Sequence, residues 1–154
     1  MQSLHGHGQP ITILMADDDE DDRDLARDAL DGTRLGERME FVTDGQQLID
    51  YLRHDGPYAG EPTPRPSIIL LDLNMPRKDG RQALAELKAD ESLRQIPVVI
   101  LTTSNDEVDV ENAYDLGASS YITKPVTHTQ LNEVMRLVAR YWSETVQLPA
   151  TTAP

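Results

Sequence analysis

Short aliphatic runs alternate along this chain with stretches whose apolar residues return every three or four positions. "ITILMADDDEDD", from Ile11, begins as a strand of the buried type and breaks into acid near Asp17. "DDRDLARDALDGTR", Asp21 to Arg34, places Leu25, Ala26, Ala29 and Leu30 at helical spacing with acids in the first turn. Met39 to Thr43 reads as a second strand, and "DGQQLIDYLRHDG" as a helix that presents Leu48, Ile49 and Leu52 to a sheet and stops at Gly56. The prolines and glycines of "DGPYAGEPTPRP" make it a loop. Beyond it, "SIILLDL", "PVVILTT" and "SSYITK" read as strands, separated by the helices "DGRQALAELKAD" and "DEVDVENAYDLG" and followed by "THTQLNEVMRLVARYW". Five strands alternating with five helices, with near-continuous aliphatic strands, predict an α/β domain: a doubly wound parallel sheet over residues 11–142. Residues 1–10 are then an N-terminal tail and 143–154 a C-terminal extension.

Composition narrows what such a sheet can do. The chain has 154 residues, enough for one domain with a full core and little more. It contains no cysteine, which removes disulfides, thiol chemistry and thiolate-bound metals and leaves carboxylates as the main chemical resource. A net charge of -13 argues against direct nucleic-acid binding and against anionic membrane surfaces. No apolar window is long enough for a membrane span, and Met1 to Pro10 lack a signal peptide's regions, so the expected location is cytoplasmic.

The carboxyl ends of parallel strands share one edge, and ligands gather there where strand order reverses. Asp17 and Asp18 after the first strand, Asp72 after the third, Thr102 and Thr103 after the fourth and Lys124 after the fifth are therefore expected to meet. Carboxylates so gathered repel unless a cation joins them, and an all-oxygen set suits a hard divalent ion such as Mg2+. An aspartate beside a cation, an ammonium and a hydroxyl is suited to attack phosphorus, which makes Asp72 the expected phosphoryl acceptor.

"ILMADDD", "IILLDLNMPRKDG", "VVILTTS" and "YITKP", in this order, resemble the four signatures of response-regulator receiver domains, over Ile11 to about Trp142. Within that family the chain is similar to the regulators that partner bacterial phytochrome histidine kinases, by its Pro-rich insertion, "DLNMPRKDGR" and "YWSETVQLP". The resemblance implies a flavodoxin-like sheet of order 2-1-3-4-5, with Asp72 as phosphoacceptor and Asp18 as direct metal ligand. Asp17 would bind the metal through water, and Asn74 through its backbone carbonyl. Thr102 and Tyr121 match the hydroxyl and aromatic switch residues, Lys124 the phosphoryl-contacting lysine, and Pro125 would follow a cis bond. Val126 departs from the phenylalanine often found there, so packing under the last helix is expected to differ. The implied function is a two-component response regulator, phosphorylated by a sensor histidine kinase and switching its helix 4, strand 5 and helix 5 surface. A phosphorelay intermediate or a phosphate sink is the alternative.

Plainer readings stand beside these. Asp19 to Asp22 read as a solvated helix start, and the run lacks the glycine and closing glutamate of a calcium loop. A phosphatase of the haloacid-dehalogenase type needs a second acid where Asn74 stands, and no phosphate-binding glycine motif follows any strand. In the last helix Leu131, Val134, Met135, Val138 and Trp142 share a sector of roughly 100°, and Leu137 and Tyr141 widen it to about 160°. That excess, and the alternation of Val146 and Leu148 in the tail, predict a homodimer through Leu137, Tyr141, Trp142, Val146 and Leu148.

Overall fold

The computed structural model describes residues 11–32, 38–145 and 147–149. β1 (Thr12–Ala16), β2 (Arg38–Val42), β3 (Ile68–Leu71), β4 (Val98–Thr102) and β5 (Ser120–Thr123) form one parallel sheet in the order β2-β1-β3-β4-β5. Between and after them run α1 (Glu20–Leu30), α2 (Gly45–Arg53), α3 (Gly80–Ala89), α4 (Glu107–Leu116) and α5 (His128–Arg140). Each helix begins where the sequence supplies an oxygen for its unpaired amides. Asp19, Asp44, Asp79, Asp106 and Thr127 are the N-caps, and each side chain accepts at least one backbone N–H.

β1, β3 and β4 are buried at every position because helices cover both faces. Leu14, Ile69 and Ile100 join Leu48, Leu84 and Ala113 in one core, while Ile13, Leu70 and Val99 join Ala29, Leu131 and Met135 in the other. Alternate residues of one strand thus belong to opposite cores, with α2, α3 and α4 on one side and α1 and α5 on the other.

Several boundaries differ from the pattern-based expectation. α1 stops at Leu30, and the rest of the expected span, to Arg34, passes through Gly32 at φ 80 into residues outside the description. α2 ends at His54, not Gly56. His54 takes the left-handed conformation at φ 58, its amide bonds the carbonyls of Asp50 and Tyr51, and its ring lies 3.0 Å from Thr63 Oγ1. The segment expected as plain loop contains a 3-10 turn, Gly56–Tyr58, whose tyrosine packs edge-on against Tyr51. At the other end the chain does not become extended after α5 but continues as a π turn, Tyr141–Thr145, because Trp142 is drawn into the core that α5 shares with α1.

Candidate functional site

Strand order reverses between β1 and β3, and their register brings the acids together. Ala16 is opposite Leu71, so Asp17 and Asp72 leave neighbouring strands side by side. The Asp72 amide donates to the Ala16 carbonyl at 3.0 Å and the Asp17 amide to the Val42 carbonyl at 3.0 Å, which extends the ladder under both carboxylates. Asp17 is 1% exposed and Asp72 7%, whereas Asp18 is exposed. One carboxylate oxygen from each of the three lies within 4.8 Å of the others.

Lys124 enters from the end of β5, where its amide bonds the Thr102 carbonyl at 2.7 Å. Its ammonium donates to Asp17 Oδ2 at 2.7 Å, Asp22 Oδ2 at 2.7 Å and Asp72 Oδ2 at 3.3 Å. Burial pushes the Asp17 carboxyl up to about 6, opposed by its hydrogen bond and charge pairing with Lys124 and by the Asp19 amide. Burial alone would discharge Lys124. Its hydrogen bond and attraction to Asp17, with Asp22 and Asp72, outweigh that and hold its pKa above the ordinary lysine range.

The carboxylates here outnumber the one ammonium, and three carboxylate oxygens lie close enough together to share one hard divalent cation, so the residues fit a metal. Thr102 is fully buried, and its hydroxyl is the one buried side-chain polar atom among the described residues with no hydrogen-bond partner. Such an orphan costs about 1–3 kcal/mol. It lies at the end of β4, on the site's edge of the sheet, where an incoming oxyanion could use it.

The loop from Leu73 to Asp79 is held from several sides. The Asn74 amide donates to Asp72 Oδ1 at 3.2 Å, and the Gly80 amide to the Leu73 carbonyl at 2.9 Å. Asp44, 1% exposed, accepts the Arg77 guanidinium, with Nε at 2.7 Å. A Cβ on Gly80 would collide with the Asp72 carbonyl, and one on Gly45 with the Lys78 carbonyl, so both close approaches require glycine.

Other expected positions resolve as follows. Tyr121 is half-buried against the core under α2, α3 and α4, and its hydroxyl donates to the Ser104 carbonyl at 2.8 Å. The Lys124–Pro125 bond is trans, not cis: the described chain has no cis peptide. With the Lys124 amide in the β ladder, the ammonium reaches its three acids from a trans bond, the form an X–Pro peptide prefers by about 0.5–1 kcal/mol. Val126 is 97% exposed and packs under nothing.

In α5, Leu131, Met135 and Val138 are buried, while Leu137 is 62% exposed and Tyr141, just beyond the helix, 54%. Trp142, expected at a dimer contact, belongs to the domain's own core at 8% exposure, and Leu148 packs against that same core. Trp142 is corrected in this way, because an apolar surface covered within the chain is not available to a partner, whereas Leu148 remains half-buried. Val146 lies outside the described residues.

Sequence reasoning missed Asp22, read as solvated. Its only signal was its place in the first turn of α1, one turn beyond the metal-side acids.

Over residues 13–136 the chain matches the response regulator receiver domain, and it belongs to that family. The strand order, the acidic triad at the β1/β3 reversal and the lysine after β5 are those of a two-component response regulator. The chain is 40% identical over 141 residues to the response regulator Rcp1 of Synechocystis sp., covering 92% of this chain and 95% of that one. Among solved structures, the phosphorylated cyanobacterial phytochrome response regulator RcpA matches with TM-score 0.85 at 40% identity, over 91% of this chain and 99% of that one. The Mn(2+)-bound form of Rcp1 matches with TM-score 0.83 at 39% identity, over 92% and 100%. No described helix is long and apolar enough to cross a membrane.

Proposed function

We propose that Asp72 accepts a phosphoryl group from the phosphohistidine of a sensor histidine kinase and that its arrival switches the surface of α4, β5 and α5. The observation that carries this is the placement of a nearly buried Asp72 carboxylate 3.3 Å from the Lys124 ammonium, on the sheet edge that also carries an unpartnered Thr102 hydroxyl. A carboxylate oxygen of Asp72 attacks phosphorus while the P–N bond breaks and its electron pair stays on the partner's imidazole. Lys124 and the Thr102 hydroxyl then face the charge on the transferred oxygens. Hydrolysis later returns the carboxylate and inorganic phosphate. At most the chain catalyses its own slow phosphorylation and dephosphorylation; with Asn74 where a phosphatase would carry its second acid, no general acid or base for rapid turnover stands there.

Asp18 and Asp72, the Asn74 backbone carbonyl and, through water, Asp17 would hold Mg2+. When bound it supplies positive charge opposite the phosphoryl oxygens. The likeness to RcpA, a cyanobacterial phytochrome response regulator, favours a bacteriophytochrome as the kinase, acting in the cytoplasm. A homodimer through the exposed Leu137 of α5 and Tyr141 just after it completes the reading. Incubation with phosphoramidate and Mg2+ should add one phosphoryl mass that Asp72→Asn abolishes; labelling that persists in the variant refutes the assignment.

A further inference from the structure

α4 is poorly anchored by apolar packing. Of its residues only Ala113 is buried, and a groove of about 290 Å³ lies between α3 and α4, lined by Leu73, Leu84, Ala113 and Leu116. A helix with so little buried surface depends on polar contacts for its position. The main one is Arg81. Its guanidinium meets the Asp109 carboxylate edge to edge, Nε to Oδ1 and Nη2 to Oδ2, both at 2.7 Å. The same group reaches the Leu73 carbonyl and the Asn74 side-chain oxygen at 3.4 Å, the first two residues after Asp72. On the far side Asp109 accepts the Ser104 hydroxyl at 2.6 Å, and the Ser104 carbonyl accepts the Tyr121 hydroxyl. One unbroken set of polar contacts therefore runs from the loop that carries Asp72 to the ring of Tyr121.

Bidentate geometry makes this pair directional. A fork-to-carboxylate contact fixes the relative orientation of α3 and the first turn of α4, which a lysine at the same place would not do. Asp109 is held down to about 2 by its hydrogen bonds to Arg81 and Ser104, as a carboxylate with two committed donors should be.

We propose that Arg81 is a positioning residue: through Asp109 and Ser104 it docks Tyr121 and ties the first turn of α4 to the Asp72 loop, so that a phosphoryl group on Asp72 is felt at the α4–β5–α5 surface. This rests on Asp72 being the phosphoryl site. It differs in that the coupling resides in an ion pair that does not involve Lys124. Rearrangement at Asp72 shifts Leu73 and Asn74, Arg81 follows their oxygens, and Asp109 and Ser104 move with it. Without Arg81 the two loops have no direct polar link through this pair, and α4 responds to its own weak packing.

The test uses the full chain, ring-labelled at tyrosine, in wild type, Arg81→Gln, Asp109→Asn and the double variant. Each is studied with and without Mg2+ and beryllofluoride as a phosphoryl mimic. Phosphoramidate labelling of Asp72 is followed separately by mass, so a failure of the acceptor assignment shows there. The docking of Tyr121 and the amide exchange of residues 104–110 are read in the unliganded protein regardless. In either single variant the Tyr121 ring resonance should move toward that of an exposed tyrosine. Exchange at 104–110 should rise roughly 3- to 10-fold, while amides of β1 and β3 stay protected. The double variant should be no worse than the singles, since each removes the same contact, and Arg81→Lys should not restore the wild-type signal. With Asp72 still labelled, the beryllofluoride response of Tyr121 should shrink several-fold in all of them. Unchanged Tyr121 and 104–110 signals in both single variants, additive effects in the double variant, or a full beryllofluoride response without Arg81 would each overturn the proposal.

Discussion

Lys124→Met removes the cation that pairs with the carboxylates of Asp17, Asp22 and Asp72, and its cost follows from geometry. The lysine side chain is 4% exposed and contacts Asp17, Asp22 and Asp72 at 2.7, 2.7 and 3.3 Å. Asp17 and Asp72 are themselves nearly buried, so without the ammonium they face each other unpaired in a poorly solvated site. Removing one partner of such a buried group costs about 3–5 kcal/mol, less whatever Asp17 recovers by taking up a proton. For a domain of this size that corresponds to a fall in Tm of roughly 6–20 °C. A divalent cation bound by the same carboxylates should return much of the loss, since a ligand at a hundred times its Kd adds about 2.7 kcal/mol to the folded state. Thermal unfolding by circular dichroism at neutral pH, in chelator and in millimolar Mg2+, reads both terms. Wild type should gain modestly from Mg2+ and the variant much more. A variant that melts in chelator within about 2 °C of wild type, well inside the expected loss, refutes the claim that Lys124 neutralises these acids. Equal gains from Mg2+ in both proteins refute the claim that ammonium and metal answer the same charge.

Two further outcomes are expected. Asp109 is depressed in the folded protein from the ordinary 3.8 to about 2, so its contribution to stability is full above the ordinary value and is lost as pH falls through about 2. A carboxyl titration of Asp109 by NMR should place its midpoint near that value in wild type and back in the ordinary range in Arg81→Gln; an unmoved midpoint contradicts the pairing. If Leu137 and Tyr141 form the dimer contact, light scattering should find a dimer at micromolar concentration, and replacing both with serine should weaken it at least about 10-fold. A wild-type monomer at those concentrations removes the α5 interface.

The meeting of the acidic triad with Lys124 was legible because each sits where an aliphatic run stops, and a parallel sheet sends every such stop to one edge. The excess width of the α5 stripe was legible for a similar reason: helical periodicity separates Leu137 and Tyr141 from the buried face, and both are exposed. What depends on side chains meeting across the fold was not. Arg81 and Asp109 are 28 residues apart, and Arg77 and Asp44 are 33 apart, with no periodic signal linking either pair. Asp22 looked like one more acid in a helix start until the end of β5 placed an ammonium beside it. The tail shows the limit most clearly. Alternation in "SETVQLP" suggested an extended arm, but a local pattern carries no account of where Trp142 is buried. Once that indole is seated against α1 and α5, the backbone stays helical as far as Thr145. Local sequence determined which segments form strands and helices and which residues end them, because those are short-range matters of periodicity and capping. Tertiary structure decided which charges pair, since a charge is neutralised by whatever the fold brings within a few ångströms, however far away it lies in the chain.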